Sequence, residues 1–219
     1  MENKNTIKKF WEDSYLTSLK TKVTSVIGNQ ITVHETIFYA LSGGQESDHG
    51  TIGDYVVEKA EKRGKDILYT ISANHGLKVG DTVLMKIDWD RRYKLMKLHF
   101  AAEIVLELVY HHFPNITKVG AHIAAEKARI DFEMHESISP HIQHLQEKAQ
   151  SIIETNQQII SAFSDVENER RYWKIEEFSQ VPCGGTHLKR TAEIGKIRLK
   201  RINPGKGKER IEIYLGDPS

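Results

Sequence analysis

Between residues 14 and 88 apolar and polar positions alternate in short runs broken by turn residues, the period of half-buried strands. Lys20–Ile27 and Ile31–Tyr39 flank Gly28-Asn29-Gln30, a hairpin pattern, and Tyr55–Lys59 and Asp66–Ser72 flank a charged turn at Lys62-Arg63-Gly64. An all-β first domain over residues 1–88 follows, and its several short strands predict a small barrel. Near Asp90 the period changes. Tyr93, Met96, Lys97, Phe100, Ile104, Glu107 and Leu108 recur at helical spacing until Pro114, so a helix is predicted over about 90–112. Gly120 to Met134 returns to strand character. Ser139-Pro140 then opens a second helix, with a capping serine, a proline at the first position and an apolar stripe of Ile142, Leu145, Ala149, Ile152 and Ile153. Ser164 to Arg171 reads as a polar joint before a final strand-rich stretch, which completes a second domain over 89–219 of α+β character.

Composition narrows the class. The 219 residues are 39% hydrophobic and 28% charged, with 15 Gly and 5 Pro, which fits a soluble globular protein and excludes a low-complexity chain. The start is charged, and the most apolar segment, Ile104 to Tyr110, is short and interrupted by Glu107, so neither a secretory signal nor a membrane span is expected and a cytoplasmic protein is. The net charge of +1 gives no global sign of a polyanionic partner. Residues 196–210 nevertheless hold seven basic side chains and one acidic one, and Lys196, Arg198, Lys200, Arg201, Lys206 and Lys208 form a ribbon that could track phosphates or cover a solvated hairpin.

Two pairs of residues carry chemistry. His99 and Glu103 are four apart on the predicted helix, so they project from one face and could share an ion. Cys183 and His187 are also four apart, but Gly184-Gly185 between them argues for a tight loop that folds both toward one point. The pooled imidazole, thiolate and carboxylate donors match the preference of zinc. With 11 histidines in the chain, a His-x3-Glu pair also arises by chance as a surface hydrogen bond, whereas Cys-Gly-Gly-Thr-His places the single cysteine beside a histidine within a glycine turn. A second glycine cluster, Gly43-Gly44-Gln45, suits either a hairpin loop or the close approach of a large ligand, with Gln45 offering donors and an acceptor.

Four segments in order, FYALSGGQESDHG (38–50), IDWDRRYKLMKLHFAAE (87–103), VGAHIAAEKARIDFE (119–133) and VPCGGTHLKRTAEIGKIRLKR (181–201), resemble the editing region of alanyl-tRNA synthetase and its free-standing relatives, the AlaX proteins. The length and the added N-terminal β-domain are similar to the medium-length class. The resemblance implies an α+β fold: a translation-factor-like β-barrel followed by a two-layer editing domain with an antiparallel sheet and long helices. It implies a zinc-dependent hydrolase that deacylates Ser-tRNA(Ala), and Gly-tRNA(Ala) as a second substrate, with mischarged tRNA(Ala) as partner and no membrane. The family's ligands come from His-x3-His and Cys-x3-His, so His99, Cys183 and His187 carry over, while Glu103 stands where the second histidine is usual and is open to two roles, ligand or base. Gly43, Gly44 and Gln45 match the family's glycine loop and are expected at the tRNA 3′ end, with the basic ribbon along the tRNA backbone. Ala121 occupies a position where relatives often carry a hydroxyl. The alternatives are editing of Ser-tRNA(Thr) and a non-catalytic tRNA-binding protein on the same fold.

Overall fold

Short strands separated by tight turns fill the chain as far as Ile87. In the computed structural model, which describes residues 5–216, contacts group the chain into two units: one runs to Ser42 and resumes over Glu46–Tyr93, and the other comprises Gly43–Gln45 and everything from Lys94 onward. The first unit holds β1 (Ile7–Lys8), β2 (Ser18–Ile27), β3 (Gln30–Val33), β4 (Glu35–Thr36), β5 (Gly50–Ile52), β6 (Tyr55–Val56), β7 (Lys59–Arg63), β8 (Asp66–Thr70) and β9 (Thr82–Ile87). Seven of these form a ladder in the order β6-β5-β9-β2-β3-β8-β7. Strand β2 serves both halves, pairing with β9 through Ser18–Lys22 and with β3 from Val23 onward, across a bulge between Val23 and Ser25. The pairings define an ordered ladder whose ends, β6 and β7, are not joined among the described residues.

The Gly28-Asn29 hairpin forms as expected, but β3 stops at Val33. Past β4, side chains take over the backbone donors: Phe38 N–H donates to Thr36 Oγ1 at 2.9 Å and Tyr39 N–H to Asp48 Oδ2 at 2.6 Å. Ile37 to Ala40 are therefore buried without being a strand. The charged turn also shifts. Lys62 and Arg63 lie in β7 opposite Ile67 and Asp66, and Gly64-Lys65 makes the turn.

A buried ion pair lies in this unit. Arg92 reaches Asp48 through Nε (2.7 Å to Oδ1) and through Nη2 to Oδ2, and its remaining donors go to Ser14 O at 2.9 Å and Ile37 O at 2.6 Å. Both side chains are fully buried. Asp48 and Tyr39 also exchange backbone contacts, Asp48 N–H to Tyr39 O at 3.1 Å, so the segment between them is closed at its root.

Helix α1 (Trp89–His112) continues into the second unit. It is buried on more than the one face its stripe suggested, Leu95, Leu98, Val105 and Val109 joining Met96, Phe100 and Ile104 in the interior, and it ends just before Pro114 as predicted. Beyond it come β10 (Thr117–Ile123), β11 (Ala128–Glu133), α2 (Ile142–Glu154), β12 (Ile160–Asp165), β13 (Arg170–Ile175), β14 (Ser179–Pro182), β15 (Ile197–Gly205) and β16 (Lys208–Leu215). They form a four-stranded antiparallel sheet in the order β10-β11-β16-β15 and a three-stranded antiparallel sheet, β12-β13-β14. Architecture and sheet sense make the chain an α+β protein. Among the described residues no helix is long and apolar enough to cross a membrane.

Two local expectations are corrected here. Ser139 does not cap α2: Ile138 is already helical, Ser139-Pro140-His141 form a 3-10 turn, and the α-helix starts at Ile142. The supposed joint from Ser164 to Arg171 is a hairpin between β12 and β13, with Glu169 at φ +54 in its turn. Helix α2 buries Leu145, Ala149 and Ile153, and from the same helix Gln150 and Gln146 accept hydrogen bonds from the backbone N–H groups of Ile197 (3.1 Å) and Leu199 (2.8 Å) on β15.

Candidate metal centre

Helix spacing and a glycine loop bring four chemistry-bearing side chains together. On α1, His99 Nε2 lies 3.3 Å from Glu103 Oε1 one turn away. The loop after β14 begins by extending strand pairing, Cys183 N–H donating to Arg171 O at 2.9 Å, and then turns through Gly184-Gly185. The turn sets Cys183 Sγ 3.4 Å from His99 Nε2 and returns His187 Nε2 to 3.3 Å from the same sulfur. The donor atoms of His99, Cys183 and His187 all lie within 4.8 Å of one another. Glu103 Oε1 is 3.8 Å from Cys183 Sγ, so the carboxylate stands against two of the three.

Further side chains support this group. The indole of Trp173, wholly buried on β13, donates its Nε1–H to Glu103 Oε2 at 2.9 Å. Ser161 Oγ lies 2.8 Å from His187 Nδ1, which leaves Nε2 to face the sulfur. Gln45 Nε2 donates to Thr186 Oγ1 at 2.9 Å, between the cysteine and the second histidine. Arg171, 6% exposed, lies over the Phe163 ring at 5.1 Å. Strand alternation in RRYWKI turns Arg171, Trp173 and Ile175 inward and was the one sequence signal for two of these residues.

Charge in the cluster is arranged in opposition. Burial pulls His99 toward its neutral form, but the charge and hydrogen bond of Cys183, then those of Glu103, outweigh it and raise its pKa to about 10. Burial likewise favours the protonated acid at Glu103, yet the His99 hydrogen bond and charge, followed by the Trp173 indole, hold it well below the carboxylate range. His187 moves the other way: burial and the His99 charge keep it neutral. Two imidazoles and a cysteine sulfur converging on one point are a borderline-soft donor set suited to zinc, with a carboxylate beside them. His99 would have to give up its proton to serve as a ligand, so metal uptake here would release acid.

Gly185 is required by geometry. A Cβ there would lie 1.9 Å from His99 Cε1 and 2.6 Å from His99 Nδ1, a buried nitrogen with no hydrogen-bond partner. The Gly185→Ala protein is accordingly expected to keep its fold but to bind metal about 10–100-fold more weakly, the cost typical of disturbing a ligand's support; chelator competition measures it.

The remaining expected site residues fall in two places. Gly43-Gly44-Gln45 groups with the second unit: Gln45 bridges Ile123 on the edge of β10, Ile123 N–H donates to Gly44 O at 2.8 Å, and Gln45 is 1% exposed. Gly44 sits at φ +89, where a Cβ would come 2.7 Å from Ala121 O, so only glycine permits this approach. Of the ribbon, Lys196, Arg198, Lys200, Lys206 and Lys208 are exposed around the β15–β16 hairpin. Arg201 is engaged internally, gripping Glu209 with both prongs at 2.7 and 2.6 Å, and Arg198 lies 4.8 Å over the Tyr214 ring.

Comparison with known proteins places this geometry in a family. Residues 171–212, which include the Cys183–His187 loop, match the family model described as "Threonyl and Alanyl tRNA synthetase second additional domain", and residues 2–91 match "tRNA synthetases class II (A)". The alanyl-tRNA editing protein AlaX-M of Pyrococcus horikoshii is 36% identical over 96% of this chain and 98% of its own length. The protein of the same name from Saccharolobus solfataricus is 31% identical over 92% of this chain and 95% of its own. An alanine–tRNA ligase of Methanococcus aeolicus is 28% identical over 94% of this chain, which corresponds to 25% of that enzyme. The identity and the near-complete mutual coverage assign the chain to the AlaX-M family of alanyl-tRNA editing proteins.

Proposed function

We propose that this protein is an aminoacyl-tRNA hydrolase that removes serine, and secondarily glycine, from mischarged tRNA(Ala) at a zinc ion held by His99, Cys183 and His187. The convergence of those three donor atoms within 4.8 Å, in a chain related over nearly its full length to alanyl-tRNA editing proteins, is the observation that carries the reading. Bound zinc supplies Lewis acidity toward the ester carbonyl or a bound water. The protein's own residues do the rest. Glu103, ionised and aimed by Trp173, is positioned either to complete the ligand set or to accept a proton from water, while Ser161 holds His187 in the tautomer that offers Nε2 inward. A cytoplasmic setting accompanies this role.

The need for such an enzyme follows from the limits of binding. A pocket shaped for alanine rejects a side chain that merely adds a hydroxyl by only about a hundredfold, so a second site must remove what passes. A hydrolytic site that rewards the hydroxyl with a hydrogen bond spares Ala-tRNA(Ala). Deacylation of Ser-tRNA(Ala), Gly-tRNA(Ala), Ala-tRNA(Ala) and Ser-tRNA(Thr) side by side tests the reading. Rapid loss of serine from tRNA(Ala) alone supports it, preference for Ser-tRNA(Thr) transfers the role to the threonine system, and no turnover on any leaves a binding protein.

The exposed lysines of the β15–β16 hairpin are suited to the phosphates of the acceptor stem. Lys206 has φ +59, so Asn is the substitution its backbone accepts there. The Lys206→Asn/Lys208→Ala protein is expected to bind charged and uncharged tRNA alike more weakly and to flatten the log K against log salt slope by about 1–2 units. Its ratio of serine to alanine release stays unchanged, because that choice is made elsewhere.

A further inference from the structure

We propose that Gln45 does not face the tRNA 3′ end but is a positioning residue: it holds the Cys183–His187 loop in its metal-binding shape through Thr186, an inference that rests on the proposed metal site. Its amide is committed. Nε2 donates to Thr186 Oγ1 at 2.9 Å, Oε1 accepts from Thr186 N–H at 3.4 Å, and the two side chains are 1% and 0% exposed. A glutamine that must present its amide to a substrate cannot be spent in this way.

The contacts around it form a continuous chain of support. Gly44 O receives Ile123 N–H, which anchors the segment to β10, and the close approach of Gly44 to Ala121 admits no larger residue. Gln45 then spans from β10 to the loop, touching it at Thr186, one residue before His187. The same Oε1 lies 3.0 Å from where a Cβ of Gly185 would sit, so Gln45 and His99 press on Gly185 together. Cys183 is tied at the other end of the turn by its N–H to Arg171, and His187 by Ser161. Gln45 thus ties the middle of the turn at Thr186, beside two glycines, whose backbone is the least able to keep a shape unaided.

The test uses the full-length protein loaded with cobalt(II), whose visible bands and thiolate charge-transfer band report the ligand geometry at Cys183. Both Gln45→Met and Thr186→Val keep shape; the first removes both hydrogen bonds and the second the one to Thr186 Oγ1. Each is expected to shift those bands and weaken metal binding about 10–100-fold, as outer supports of metal sites do, and to lower kcat on Ser-tRNA(Ala) with KM unchanged. The double variant is expected to be no worse than Gln45→Met alone, because that variant already removes the bond that Thr186→Val removes. Wild-type bands and affinity in both variants, with KM raised in Gln45→Met alone, would overturn the proposal and return Gln45 to the tRNA end. A defect in Gln45→Met with none in Thr186→Val also overturns it. Should Thr186→Val melt early, Thr186→Ser and Thr186→Ala give the comparison at the same site: wild-type bands in the first and shifted bands in the second are expected, and identical bands in the two count against the proposal. The cobalt and affinity measurements need no substrate, so they stand even if the wild-type protein proves inactive on every charged tRNA tested.

Discussion

Cys183→Ala is expected to yield a folded protein that carries no zinc and releases serine from Ser-tRNA(Ala) at the background rate. Disturbing an outer support of a metal site typically costs about 10–100-fold in affinity, and removing a donor outright must cost more. Cys183 also sits centrally: its sulfur is 3.4 Å from His99 and 3.3 Å from His187, while the donors on either side approach each other through it. Its removal therefore leaves two imidazoles with no sulfur donor between them and only the Glu103 carboxylate nearby. Elemental analysis of protein purified without chelator, and deacylation on the same sample, check both halves. Cysteine is also the residue whose loss does least to packing, since the site is half-open there and the loop remains tied at Thr186 and His187. A Cys183→Ala protein that retains one zinc per chain would show that the metal lies elsewhere.

Asp48→Ala is expected to destabilise the protein by about 3–5 kcal/mol, the usual cost of leaving one partner of a buried ion pair alone. Arg92 would then be a guanidinium at zero exposure with two backbone carbonyls but no carboxylate. Tyr39 N–H would lose its acceptor as well. Arg92→Ala should cost a similar amount, and the Asp48→Ala/Arg92→Ala pair clearly less than the sum, since neither charge is then stranded. Urea unfolding of the three variants measures all of this. A deficit below about 1 kcal/mol in Asp48→Ala, the range of an exposed pair, would mean that water reaches Arg92.

The chain announced its chemistry more clearly than its supports. His99 and Glu103 were legible because an uninterrupted helical stretch runs up to Pro114 and residues four apart on it share a face, and Cys183 and His187 because a glycine turn leaves two donors few directions to take. Trp173, Ser161 and Thr186 were not, since each acts across the chain on a partner far away in sequence, and strand alternation says which side a residue faces but not what it meets. The β12–β13 hairpin was missed for a local reason. Its turn uses Glu169 at positive φ, a conformation that Gly or Asn would have advertised. The early end of β3 was hidden likewise, in a threonine hydroxyl and an aspartate that take over backbone donors in a stretch whose apolar residues read as strand.

The two glutamines of α2 that reach β15 do the work of an absent strand. Ile197 and Leu199 lie on the rim of the four-stranded sheet, and their N–H groups are the ones a further chain would use to extend it. Gln146 and Gln150, one helical turn apart, offer carbonyl oxygens at the spacing of alternate strand residues and occupy those donors. The rim is thereby closed to edge-to-edge association at that point, and a strand rich in lysine and arginine can lie exposed to solvent without templating aggregates.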